Sequence, residues 1–141
     1  MILLDTNVLV ALVDNRDRLH ARASLDVEAF DSKNLLLPMP VLAEACHVLH
    51  RGHQRVRLHE LLHDFDLQPY PLKEDRKFWD DVFEWMAQYA EHEPDWVDAY
   101  LSVVSGRDRR IEVWTYDRAF RDIWRRMDGS AVPVVGSDAR E

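Results

Sequence analysis

The stretch Ile2-Leu3-Leu4-Asp5-Thr6-Asn7-Val8-Leu9-Val10-Ala11-Leu12 decides the fold. Three apolar residues in a row fit a strand buried on both faces. The polar triplet Asp5-Thr6-Asn7 interrupts the run, and apolar residues resume at helical spacing, predicting a short helix from Val8 to Val13. This unit of strand, polar turn and helix recurs near the far end. There Ile111 to Thr115 reads as a strand, Asp117 follows, and a helix is expected from Asp117 or Arg118 to Arg126.

Between these ends the pattern keeps alternating. Asp17 to Phe30 predicts a helix with Leu19, Ala23, Val27 and Phe30 on one face. Leu35-Leu36-Leu37 is a short buried strand closed by Pro38, and Val41 to His50 a helix with Pro40 in its first turn, where the missing N–H has no partner anyway. Gly52 separates that helix from His53 to His63. Leu67 to Tyr70 is an edge strand bounded by prolines. The longest helix is expected over Glu74 to Ala90, with Phe78, Val82, Trp85, Met86 and Tyr89 on its apolar face. Asp95 to Ser105 forms another, stopped at Gly106, and Val132 to Val135 supplies the last strand. Strands alternating with helices imply an α/β fold, a mostly parallel sheet covered on both faces.

The 141 residues suit one domain spanning 1–141, and 47% hydrophobic with 31% charged residues places the chain among globular proteins. No apolar run reaches a membrane span, and no basic region with a long apolar stretch opens the chain, so a cytoplasmic location is expected. Cys46 is the lone cysteine, which excludes an intrachain disulfide; it reads as buried filler on a helix. A net charge of −8 argues against non-specific coating of nucleic acid. It leaves a nucleic-acid substrate open, because a bound divalent metal reverses the local field. Arginine is concentrated in two groups. One is Arg51, Arg55 and Arg57; the other runs from Arg107 to Arg126, close in sequence to Asp117. Both fit a solvated surface, and Arg107, Arg118 and Arg121 also fit a rim that tracks phosphates.

Four acids stand where such a chain gathers ligands. Asp5 and Asp117 each follow a strand, and residues past the carboxyl ends of parallel strands line the ligand crevice. Glu44 interrupts the apolar helical stretch Val41-Leu42-Ala43-Glu44-Ala45, and Asp98 lies one turn inside the helix that begins near Asp95. Each has an ordinary alternative: a helix cap for Asp5 and Asp117, a solvated turn for Glu44, a capping box for Asp95 with Asp98. Thr6 is an equally good cap, which would leave Asp5 without an obligatory structural job. Taken together, clustered acids lose hydration and repel, so they imply a cation. Oxygen-only ligands favour Mg²⁺ or Mn²⁺, whose usual client is a phosphate. Asn7 and Thr115 are placed to hydrogen-bond these carboxylates as supporting groups.

With these motifs the chain resembles PIN-domain ribonucleases, and among them the VapC-type toxins of bacterial toxin–antitoxin pairs. The resemblance runs from Met1-Ile2-Leu3-Leu4-Asp5-Thr6-Asn7-Val8-Leu9-Val10 to Thr115-Tyr116-Asp117-Arg118-Ala119-Phe120, through Leu42-Ala43-Glu44 and Asp95-Trp96-Val97-Asp98-Ala99-Tyr100-Leu101. It implies a PIN-like three-layer α/β/α sandwich with sheet order 3-2-1-4-5. It also implies metal-binding roles for Asp5, Glu44, Asp98 and Asp117, support from Asn7 and Thr115, an RNA substrate, an antitoxin partner and a homodimer. Pro38-Met39-Pro40 stands where family members often carry Ser or Thr, which leaves the start of that helix open. Asp95 is an acid only some members have.

Two other readings compete. His59-Glu60-Leu61-Leu62-His63 matches the zinc-peptidase pattern of two helical histidines with a glutamate, and Glu84 is a conceivable third ligand. Leu58, Leu61, Leu62 and Phe65 explain the same segment as a helix packed on the core. A phospho-receiver module also uses acids at strand ends, but needs a late lysine, and the lysines here are Lys33, Lys73 and Lys77.

Overall fold

Residues 1–137 are described in a computed structural model; residues 138–141, the end of the expected domain, lie outside them. Five strands form the sheet: β1 (Ile2–Leu4), β2 (Leu35–Leu37), β3 (Gln68–Pro69), β4 (Glu112–Trp114) and β5 (Val134–Val135). Their order is 3-2-1-4-5 and every pairing is parallel. The helices are α1 (Thr6–Val13), α2 (His20–Val27), α3 (Met39–Val48), α4 (Gly52–Asp64), α5 (Arg76–Gln88), α6 (Trp96–Arg107) and α7 (Ala119–Asp122). Parallel crossovers are right-handed. Connections leading from β1 towards β3 therefore place α1 to α4 on one face, and those leading to β4 and β5 place α5 to α7 on the other. Packing follows suit, α1 lying against α2, α3 and α4, and α5 against α6.

This is the expected PIN-like α/β fold, and its order has one consequence for function. The chain moves one way from β1 and then returns to the other side of it, so the direction of winding reverses between β1 and β4. Ligand crevices open at such a reversal. The two strands are short, fully buried at Leu3, Leu4, Val113 and Trp114, and held in register by the pairs Ile2–Glu112, Leu3–Val113 and Leu4–Trp114.

Several boundaries differ from the sequence expectation for local reasons. The helix expected from Asp17 begins at His20, because the Asp14 and Asp17 carboxylates take the backbone N–H groups of Arg16 and Leu19 and build turns instead. Asp75 caps the Phe78 N–H, which sets the start of α5 inside the expected span. Pro38-Met39-Pro40 does open α3, with Pro38 as its cap residue and the helix running from Met39. Cys46 is only half-buried. The largest departure is the helix expected to reach Arg126, of which only Ala119–Asp122 forms. Beyond it the backbone is captured by tertiary bonds: Trp85 Nε1 donates to the Arg125 carbonyl at 2.7 Å, and Arg126 N donates to Ser130. Trp124 sinks into the core, its ring edge-on to Trp85 and Tyr89. On α5, Phe78, Val82 and Trp85 face inward as expected, whereas Trp79 and Phe83 stay exposed.

The last strand is closed by a glycine that admits no side chain. Gly136 has φ +102°, and a Cβ there would stand 2.8 Å from the buried Trp114 ring. Gly136→Ala is expected to destabilise the fold by about 1–3 kcal/mol in chemical denaturation, through both strain and overpacking. Gly52→Ala, in open space at the start of α4, is the control and should be neutral or gain roughly 0.5 kcal/mol.

Candidate active site

Asp5 ends β1 and begins α1, and burial defines it: its side chain sits at the strand-to-helix turn with 4% of the residue exposed. Oδ1 accepts the Thr6 N–H at 2.7 Å, so Asp5 itself caps α1, which starts at Thr6 rather than Val8. The sequence argument that Thr6 could take over the cap is thereby corrected. Oδ2 accepts the Thr115 hydroxyl at 2.7 Å and lies 3.4 Å from Asn7 Nδ2. Asn7 also donates to Thr115 Oγ1 at 3.2 Å and accepts the Tyr116 N–H at 3.2 Å. Thr115 Oγ1 accepts the Asp117 N–H at 3.0 Å, and the Asp117 carboxylate takes the Ala119 N–H at 2.9 Å. One polar chain thus joins the ends of β1 and β4.

The acids from the helices complete the group. Asp95 accepts the Asp98 N–H at 2.8 Å, and Asp98 Oδ2 accepts the Asp95 N–H at 3.1 Å, so the pair is a reciprocal cap at the head of α6. Glu44 approaches from α3, which touches α6, and feels the charge of Asp95.

Their mutual effect is electrostatic. Burial pushes the Asp5 carboxyl up to about 7, with the charges of Asp117 and Asp95 adding and the bonds from Thr115 and Thr6 opposing. Burial also pushes Asp98 up to about 8, reinforced by Asp95 and then by Asp5 and Asp117. Glu44 is raised by burial and by Asp95. Desolvation and like charge are the conditions a divalent cation relieves. As the side chains stand, no three carboxylates among the described residues converge directly on one ion. Local bonds account for this: Asp98 is turned onto the Asp95 N–H and Asp117 onto the Ala119 N–H. The donor set is all oxygen, which suits Mg²⁺ or Mn²⁺.

The site holds one group that the sequence did not single out as functional. Thr6 is buried beside Glu44 and its hydroxyl has no hydrogen-bond partner. Its signal in the sequence was only its position, next to Asp5.

The arginines divide. Arg118 is exposed next to Asp117 and pairs loosely with Asp122 at 3.7 Å, and Arg121 is half-buried on α7. Arg107 does not join the site. It ends α6, nine residues past Asp98, or ~13 Å along the helix. There it bonds Asp81 at 2.7 Å and lies over the Phe78 ring, because the acid on α5 neutralises it locally. Arg51 and Arg57, with Arg16, His20 and His53, line a hollow of about 610 Å³ at the far end of α1. His59 and His63 are exposed on α4 with their rings 5.0 Å apart, and Glu60 pairs with Arg57. Glu84 belongs to α5 in the opposite helical layer, so the peptidase constellation does not assemble.

Residues 2–125 match the PIN domain. No curated protein matches the sequence. Among solved structures the chain is similar to VapC20 of Mycobacterium tuberculosis, a toxin that cleaves the sarcin–ricin loop. Identity is 20% and the TM-score 0.68, over 86% of this chain and 93% of that one. VapBC2 of Rickettsia felis, bound to promoter DNA, aligns at 13% identity and TM-score 0.61, over 95% and 98%. FitAcB of Neisseria gonorrhoeae aligns at 19% and 0.56, over 84% and 88%. At such identities these likenesses speak to fold. The domain match covers nearly the whole described chain and includes every acid of the site, and on that basis the protein belongs to the PIN-domain family.

Proposed function

We propose that the protein is a metal-dependent endoribonuclease of the VapC toxin type, hydrolysing RNA phosphodiester bonds. The observation that carries the reading is the buried, doubly hydrogen-bonded Asp5 at the winding reversal of the sheet, within electrostatic reach of Asp95, Asp98 and Asp117. Asp5, Glu44, Asp98 and Asp117 are the residues that would hold the ion, with Asp95 at the margin. When bound, Mg²⁺ or Mn²⁺ lowers the pKa of a water and offsets charge developing on the phosphate. Asp5 is oriented for this by Thr115 and Asn7, which occupy one of its oxygens and fix its rotation. Arg118, exposed beside Asp117, would contact the RNA backbone, a contact that positions without reading sequence. In-line attack by water that breaks the bond from phosphorus to the 3′-oxygen would leave a 5′-phosphate and, once that oxygen takes up a proton, a 3′-hydroxyl, and it would need no ribose 2′-hydroxyl.

The toxin role and an antitoxin partner are supported by the toxin–antitoxin complexes among the structural relatives. Trp79 and Phe83 leave an exposed apolar strip on α5, available to a second copy in a homodimer; Trp124, being buried, is not. No helix among the described residues is long and apolar enough to cross a membrane, in keeping with a cytoplasmic site of action.

Asp5→Asn and Asp117→Asn should each lower cleavage of RNA by about 10²- to 10³-fold with the circular-dichroism spectrum unchanged. Native-like rates in either purified variant would remove the assignment. Products of the native enzyme should ligate only where a 5′-phosphate is required.

The raised acids also fix a sign for stability. Folded Asp5 and Asp98 hold protons that the unfolded chain, near 3.8, has released, so stability falls as pH rises through roughly 4 to 8. The acids held low, Asp26, Asp81, Asp108 and Asp128, finish titrating below about pH 5 and do not mask the trend. Chelator-treated protein should therefore lose Tm between about pH 5 and 8, less so in Asp98→Asn, and Mn²⁺ should restore it at the upper end. A Tm that stays level or climbs over this range would contradict the burial argument.

A further inference from the structure

We propose that the Thr6 hydroxyl is a positioning group for Glu44, donating to its carboxylate when that acid turns towards a divalent ion. The inference rests on the metal-site reading above and extends it to a residue outside the acidic set.

Thr6 is the first residue of α1 and 6% exposed. Its backbone N–H is committed to Asp5, while its Oγ1 is inaccessible to solvent and lacks a hydrogen-bond partner. Buried hydroxyls elsewhere are satisfied: Thr115 by Asp5, Ser102 by the Asp98 carbonyl, Ser105 by the Ser102 carbonyl. A buried hydroxyl without a partner costs stability, and valine has nearly the same shape. Capping does not explain the threonine, because Asp5 performs that task. What lies beside the hydroxyl is Glu44, which it already helps to hold down although the contact falls short of bonding geometry. α1 packs against α3, and a turn of the flexible glutamate is the movement that would close the bond. The result would mirror the other side of the site, where the Thr115 hydroxyl orients Asp5. Groups that orient metal-binding carboxylates typically contribute 10- to 100-fold to metal affinity.

The test is Mn²⁺ titration of the full-length, chelator-treated protein by calorimetry, without RNA. Thr6→Val should weaken Mn²⁺ binding about tenfold. Its metal-free Tm should stay level or rise, since no hydrogen bond is lost. Thr6→Ser should return affinity to within about twofold of native, as expected where one oriented hydroxyl accounts for the effect. In a Glu44→Gln background, Thr6→Val should change affinity little further, because the hydroxyl acts through that carboxylate. Thr6→Ala serves as a second hydroxyl-free variant should the valine fold poorly. Native-like Mn²⁺ affinity in the hydroxyl-free variants, or an undiminished effect without Glu44, overturns the inference alone. A native protein that binds no Mn²⁺ overturns it together with the metal-site reading, so the two failures are told apart in the first titration.

Discussion

The hydrogen bond from the Thr115 hydroxyl to the Asp5 carboxylate joins the two strands on which the site depends. It is 2.7 Å long and buried, and it ties the end of β1 to the end of β4 across the place where the sheet reverses its winding. A carboxylate so far out of water is costly unless its oxygens are engaged. Asp5 meets that condition with a helix N–H on one oxygen and a hydroxyl on the other. Burial still leaves it ionisable only at a raised pKa, about 7, with these bonds opposing the rise. The fold thus keeps a destabilising charge in place by surrounding it with donors, which is the arrangement expected where function, not stability, selected the residue.

The remaining structure can be understood as support for that junction. Trp114 is the last paired residue of β4, lies edge-on to Phe30, and donates to the Tyr116 hydroxyl, which in turn bonds Asp26 on α2 at 2.6 Å. Ser137 adds two further donors to the same Asp26 oxygen. Tyr116 stands between Thr115 and Asp117, so these bonds immobilise the loop that carries both. On the opposite face, the Trp85, Tyr89 and Trp124 cluster anchors the segment after α7 and packs behind α6. α6 is buried nearly all round, its two inward serines bonded to carbonyls of the helix itself, as a helix wedged between the sheet and α5 must be, and this burial presents its polar N-terminus to the crevice.

Legibility from sequence followed the range of the forces involved. β1, α1, α3 and α6 were readable because their apolar spacing and flanking polar residues act locally, and the acidic residues announced themselves by interrupting those patterns. Thr6 was not readable as part of the site. In the sequence it is one more residue able to cap a helix, and only its burial in the fold, beside Glu44, reveals its hydroxyl as unpaired. Arg107 misled for the converse reason: nearness to Asp117 along the chain suggested a phosphate contact, whereas Asp81, far away in sequence, neutralises it at the wrong end of α6. The failed helix beyond Asp122 has the same origin, since the Trp85 bond to Arg125 is invisible to any local pattern.

By itself the sequence determined the alternation of strands and helices and the inventory of oxygen ligands, because both are written in residue type and short-range spacing. Tertiary structure alone decided which acids feel one another, which hydroxyl orients which carboxylate, and which arginines remain available to a substrate. Those outcomes depend on desolvation and on contacts between segments as distant as Asp5 and Thr115, and such energies exist only once the chain has closed on itself.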